Sequence, residues 1–130
     1  DRPMLLSATA NLSAFFGPGM VSPDAAKTLE DREVVRLGEE ALEVIATPGH
    51  SPGGICLYTP GLLFSGDSLF RESIGRTDFP GGDFRLLLAG IRDRLLVLPS
   101  ETVVLPGHGD ATTISHEQFN NPYLADIDAL

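Results

Sequence analysis

Thr47-Pro48-Gly49-His50-Ser51-Pro52-Gly53-Gly54 runs into the apolar segment Ile55-Cys56-Leu57-Tyr58, then Thr59-Pro60-Gly61, a second apolar segment Leu62-Leu63-Phe64, and finally Ser65-Gly66-Asp67. Two short apolar segments around a Pro-Gly pair predict a β-hairpin. Pairing them returns the chain, so His50, before the first strand, and Asp67, after the second, are expected at the same sheet edge. A third segment repeats the design: Thr102-Val103-Val104-Leu105 reads as a buried strand leading into Pro106-Gly107-His108-Gly109. Proline fixes φ and glycine tolerates positive φ, so each Pro-Gly pair turns the backbone and aims the next side chain. One His or Asp is ordinarily a polar surface group. Three at three strand ends, each behind a turn, are candidate metal ligands: His50, Asp67 and His108, expected to point into a common pocket.

Outward from this stretch, the N-terminal residues 3–16 carry Leu5, Ala8, Leu12 and Phe15/Phe16 near helical spacing, with Gly17 placed to end a helix that packs on the core. A Pro/Gly loop over 17–23 and a short turn over 24–29 precede Val34–Leu37 and Ala41–Ala46, a second hairpin turning at Gly38-Glu39-Glu40. Residues 68–82 read as a long glycine-bearing loop, a length that in compact domains is functional or mobile. Asp83 is expected to cap a helix whose apolar face holds Leu86, Leu87, Gly90, Ile91, Arg94 and Leu95. After His108 come a polar loop and a last helix, with Ser115 and Gln118 as a capping box and Asn121-Pro122 ending it. No internal repeat, low-complexity tract or glycine-rich phosphate fingerprint is present.

Composition narrows the classes. The 130 residues carry 9 basic and 18 acidic side chains, a formal charge of −9, with no Lys/Arg cluster to neutralise phosphates; nucleic acid is not an expected partner. At 42% hydrophobic residues a core is affordable. No apolar run approaches the ~18 residues of a membrane span and no signal peptide opens the sequence. Cys56, the single cysteine, sits in an apolar strand and reads as a small buried hydrophobe, and low cysteine use fits a cytoplasmic location.

Thr47–Gly54, Ser65–Phe70, Gly75-Arg76-Thr77-Asp78-Phe79 and Pro106–Gly109 resemble the second half of a metallo-β-lactamase-fold hydrolase, most closely the glyoxalase II (hydroxyacylglutathione hydrolase) branch. The resemblance spans roughly residues 29–124. It implies an α/β (α+β) fold, the C-terminal half of a four-layer αββα sandwich, in one partial domain over residues 1–130. The family's first metal motif, His-x-His-x-Asp-His, is absent, so the chain by itself is expected to be inactive and to bind metal weakly. A half-sandwich would leave one sheet face bare, a surface for self-association.

Carried over by motif position, the resemblance implies His50 on a first metal, His108 on a second and Asp67, also the catalytic carboxylate, bridging them. The cofactors would be two divalent ions, zinc first, with iron or manganese as alternatives. The implied substrate is a small-molecule thioester, S-D-lactoylglutathione, cleaved to D-lactate and glutathione. Arg76 falls where the family's glutathione-binding enzymes place a basic residue, and would hold a substrate carboxylate. The plain reading beside it is an Arg76–Asp78 pair tying down the loop. Asp78 and Asp110 stand where those enzymes have tyrosines, which brings the chain nearer to short relatives with more varied substrates. His116 reads as structural. Two alternatives remain: a persulfide dioxygenase with one iron in a 2-His-1-carboxylate triad, His50 and Asp67 being two of its members and His108 left unliganded, and a non-enzymatic half-domain that pairs with another chain.

Overall fold

The computed structural model describes residues 1–127 as an α/β fold built on a six-stranded sheet. Strands β1 (Val34–Leu37), β2 (Glu40–Ala46), β3 (Ile55–Thr59) and β4 (Leu62–Gly66) follow one another as antiparallel neighbours. The chain then makes a small separate hairpin, β5 (Leu69–Phe70) with β6 (Ser73–Ile74), and crosses over through a helix, α2, at Phe84–Gly90. It re-enters the sheet as β7 (Val103–Pro106), parallel to β4, followed by β8 (Thr112–Thr113) and the helix α3 (Ile114–Asn120). Both expected hairpins form, each with a two-residue turn: Leu37 pairs with Glu40, and Thr59 with Leu62.

Side chains alternate across a strand, so each strand contributes half its residues to each face. On one face Ile45, Cys56, Leu63 and Val104 are buried against Leu87, Leu88, Ile91 and Leu95 of the crossover helix and Ile114 of α3. The opposite face carries Leu37, Leu42, Leu57, Leu62 and Phe64, which line a groove of about 500 Å³ open to solvent. Leu37 and Phe64 are among the exposed large apolar side chains.

Several local expectations are corrected. The N-terminal segment is no continuous helix: α1 covers only Arg2–Leu5, a 3₁₀ turn covers Ser13–Phe15, and between them Leu12 takes a left-handed φ of 67°. None of its residues is buried; Asn11 ties it to itself, donating through Nδ2 to the carbonyls of Met4 and Met20. Residues 24–29 form no hydrogen-bonded turn; the turn comes later, where Glu33 N donates to Glu30 O. Residues 68–82 contain the β5–β6 hairpin. Leu86 is exposed and Leu88 buried, because three successive leucines leave periodicity no preference and packing on the sheet chooses. After α2 the helix widens to π geometry over Ile91–Leu95, where Leu96 N donates to Ile91 O. Val103 is exposed, so β7 is buried on one face only. The last helix is capped by Thr113, whose hydroxyl accepts from His116 N, since Ser115 already lies inside it. It does end at Asn121-Pro122.

Candidate functional site

Three loops at one end of the sheet meet. In the first, Gly49 takes φ 134°, a region that side chains disfavour, and a Cβ there would lie 2.5 Å from that of Leu87. The start of α2 can therefore press on this turn, where Asp83 N donates to Gly49 O at 2.8 Å. His50 follows. Its Nδ1 lies 2.8 Å from the carbonyl oxygen of Arg76. A carbonyl only accepts, so Nδ1 carries the proton and, in the neutral ring, Nε2 presents a lone pair.

The second loop begins with a register shift after Phe64 and a left-handed Gly66, which swings Asp67 off the end of β4. Gly75 crosses so close that a Cβ would fall 1.8 Å from Asp67 O. Beneath, the buried Thr47 and Ser68 hydroxyls are 2.7 Å apart, and Cys56, fully buried as expected, lies 3.4 Å from Thr47 Oγ1. Burial pushes the Cys56 thiol pKa up.

The third loop brings His108. Gly107 N donates to Gly66 O at 2.8 Å, and a Cβ on Gly107 would sit 2.8 Å from Asp67 Oδ1, so this glycine is needed for space, where the sequence pointed to turn freedom. The His108 ring packs on Phe70, centroids 5.9 Å apart.

The three sequence-singled residues come together around Asp67. Its Oδ2 lies 3.5 Å from His50 Nε2 and its Oδ1 3.2 Å from His108 Nε2. One carboxylate thus faces two imidazoles, one through each oxygen. Both spacings exceed the ~2.7–2.9 Å of a charged hydrogen bond. A lone pair facing a carboxylate oxygen is repulsive unless a proton or a cation lies between, so the donor set suits divalent ions, and His50 has the carbonyl-anchored Nδ1 of a metal-binding histidine. Among the described residues no group of three or more His, Cys, Asp or Glu side chains converges to hold one ion. Each imidazole with the carboxylate oxygen it faces would offer an ion only two donors, and four-coordinate zinc would draw the rest from outside these residues. Beside this cluster His50 and Asp67 line a polar cavity of about 220 Å³ with Asp1, Ser51 and Ser68, and His108 stands outside it. The side chain of His108 is 77% exposed, against 28% for His50.

Arg76 is paired with Asp78, Nε to Oδ1 and Nη2 to Oδ2, both at 2.7 Å, and its guanidinium lies 3.8 Å over the Phe79 ring. The guanidinium holds the Asp78 carboxyl at a pKa of about 2. His116 Nε2 contacts Glu72 Oε1 at 2.8 Å, away from the Asp67 cluster. The sequence reading missed Glu117. Fully buried, its carboxylate accepts from Thr112 Oγ1 (2.6 Å), Glu72 N (2.8 Å) and Asn121 Nδ2 (2.8 Å), pinning the β5–β6 hairpin to α3. The available signal was its i+3 spacing from Ile114, which puts it on the inward face.

Comparison with known proteins gives the following. Residues 2–108 match the profile of the Metallo-beta-lactamase superfamily. A probable metallo-hydrolase, YqgX of Bacillus subtilis, is 39% identical over 95% of this chain and 60% of its own length. The hydroxyacylglutathione hydrolase GloC of Haemophilus influenzae is 40% identical over 73% of this chain and 46% of its own. Among solved structures, BLEG-1, a B3 metallo-beta-lactamase, superposes with a TM-score of 0.89 at 41% identity, over 95% of this chain and 61% of that one. TTHA1623 in a di-iron-bound form gives 0.77 at 42% identity, over 90% and 59%. The chain spans about half the length of the curated relatives it matches.

Proposed function

The chain belongs to the metallo-beta-lactamase superfamily, and from that premise we propose that it supplies one wall of a two-metal centre that hydrolyses thioesters of the S-lactoylglutathione type. The observation that carries this is the Asp67 carboxylate divided between His50 and His108. Divalent cations bound there would lower the pKa of water toward neutrality and polarise the substrate carbonyl. In the net reaction water's oxygen forms a bond to the acyl carbon, the C–S bond breaks, and the leaving thiolate takes up a proton.

This chain's residues do the positioning. His50 keeps its proton on Nδ1, held by Arg76 O, so that Nε2 remains the donor atom. Asp67 faces His50 with one oxygen and His108 with the other, and its negative charge would offset that of bound cations. Arg76 reaches a glutathione carboxylate only by releasing Asp78, one carboxylate replacing another at the same two N–H donors. The GloC relative supports the glutathione reading, and the di-iron form of TTHA1623 makes iron as eligible as zinc.

One observation favours a second reading. His108 is far more exposed than His50, and an iron centre with His50 and Asp67 as two members of a 2-His-1-carboxylate triad, as in a persulfide dioxygenase, would leave it free. Metal counting on the protein carrying this chain separates the two. Two ions per chain, thioester cleavage, and loss of at least about 100-fold activity and of bound metal in Asp67→Asn and in His108→Ala support the hydrolase. One iron, oxygen uptake, and a His108→Ala variant as active as wild type overturn it.

A further inference from the structure

His50 and Ser51 also line a second cavity, of about 240 Å³, with a different character. Its remaining walls are Met4, Ala10, Asn11 and Leu12 of the N-terminal segment and Phe79-Pro80 of the loop after Arg76. We propose that this cavity receives the alkyl end of the substrate's acyl group, the lactoyl methyl or a longer chain, and that Leu12 sets the acyl length accepted; the inference rests on the thioester-hydrolase reading above.

Three observations support it. The lining contains no Asp, Glu, Lys or Arg, so an ionised glutathionyl group entering it would lose water without gaining a counter-charge, whereas an alkyl chain loses nothing. The volume accommodates roughly eight water-sized groups, enough for a short alkyl chain and too small for a tripeptide. The wall shape is also imposed: Leu12 is held at a left-handed φ of 67°, and the neighbouring Asn11 fastens it by donating to Met4 O and Met20 O and accepting from Ser13 N, each at 2.9 Å. Non-glycine residues persist in that conformation only where their surroundings over-determine it. The polar cavity beside Asp67 and this apolar one share His50 and Ser51, so an acyl group in the second leaves its carbonyl beside the first.

The test is the acyl-length profile of kcat/KM on the metal-loaded protein, with S-acylglutathiones from acetyl to octanoyl. The expected profile rises about fourfold per methylene until the cavity is filled and then falls. Leu12→Ala moves the maximum to longer chains; Ala10→Phe, at an exposed position that leaves the fold intact, moves it to shorter ones. A binding readout runs beside it: hexanoate should shift the methyl resonances of Met4 and Leu12 in wild type and not in Ala10→Phe. Turnover with a flat profile, or one unchanged in both variants, overturns the inference and leaves the hydrolase reading standing. Hexanoate shifts at Met4 and Leu12 without turnover of any thioester would remove the hydrolase reading and keep the ligand class of the cavity. Hexanoate leaving both methyls unmoved overturns the inference.

Discussion

Gly75 has no room for a side chain. A Cβ would fall 1.8 Å from the Asp67 carbonyl oxygen and 3.2 Å from His50 Cβ, and backbone atoms have no rotamer through which to escape. Gly75→Ala should cost about 2–3 kcal/mol in urea denaturation and displace the His50–Asp67 pair, seen as shifted imidazole resonances. The neighbouring Arg76–Asp78 pair makes a pH prediction. The folded pKa of Asp78, about 2, lies below the unfolded carboxylate value near ~3.9, so the pair's contribution is complete above ~4 and is lost as pH falls through about 2. A carboxyl carbon titration of Asp78 should show a midpoint near 2 that Arg76→Gln raises to an ordinary carboxylate value; an ordinary midpoint in wild type would break the pairing. The sequence left Arg76 with two roles. The structure shows the pairing, and substrate recognition through it stays with the proposal above.

At the scale of elements, caps decide where helices start. The Asp83 carboxylate accepts from Leu86 N at 2.9 Å, as its position before an apolar helix foretold. Asp83→Ala should lower stability by about 1 kcal/mol in a melt, without changing the His50 environment, because the Asp83 backbone N–H that holds Gly49 is retained. For α3 the sequence pointed to Ser115, yet Thr113 two positions earlier carries the same kind of hydroxyl, and local preference hardly separates the two. The short strand β8 separates them: Thr113 pairs with Val103, which fixes its extended backbone at the point where the helix must begin. The broken N-terminal helix has a related cause. Its apolar spacing met the helical template, but no surface covers Leu6, Phe15 or Phe16, so nothing offsets the cost of ordering a helix.

At the scale of the molecule, the sheet has one face covered by helices and one on which no helix of the described residues packs. Leu37, Leu57, Leu62 and Phe64 flank the open groove, and an apolar surface of this kind favours association. In sedimentation these 130 residues should gain mass with rising concentration, and Phe64→Lys should suppress the gain while leaving the melting temperature unchanged; a wild-type chain that stays monomeric at every concentration contradicts this. No helix among the described residues is long and apolar enough to cross a membrane.

The local chemistry was legible from residues alone: the Pro-Gly turns, the two hairpins, the Asp83 cap and the presence of His50, Asp67 and His108 at strand ends. Turn geometry and alternation are short-range properties, set by φ restriction and by the side chains of a few neighbours. What tertiary structure decided lies between distant segments. It chose Leu88 over Leu86, buried Glu117 under a hairpin 45 positions away in sequence, and set Arg76 O against His50 Nδ1. Those outcomes depend on which surfaces meet once the sheet has formed, and no periodicity within a single segment carries that information.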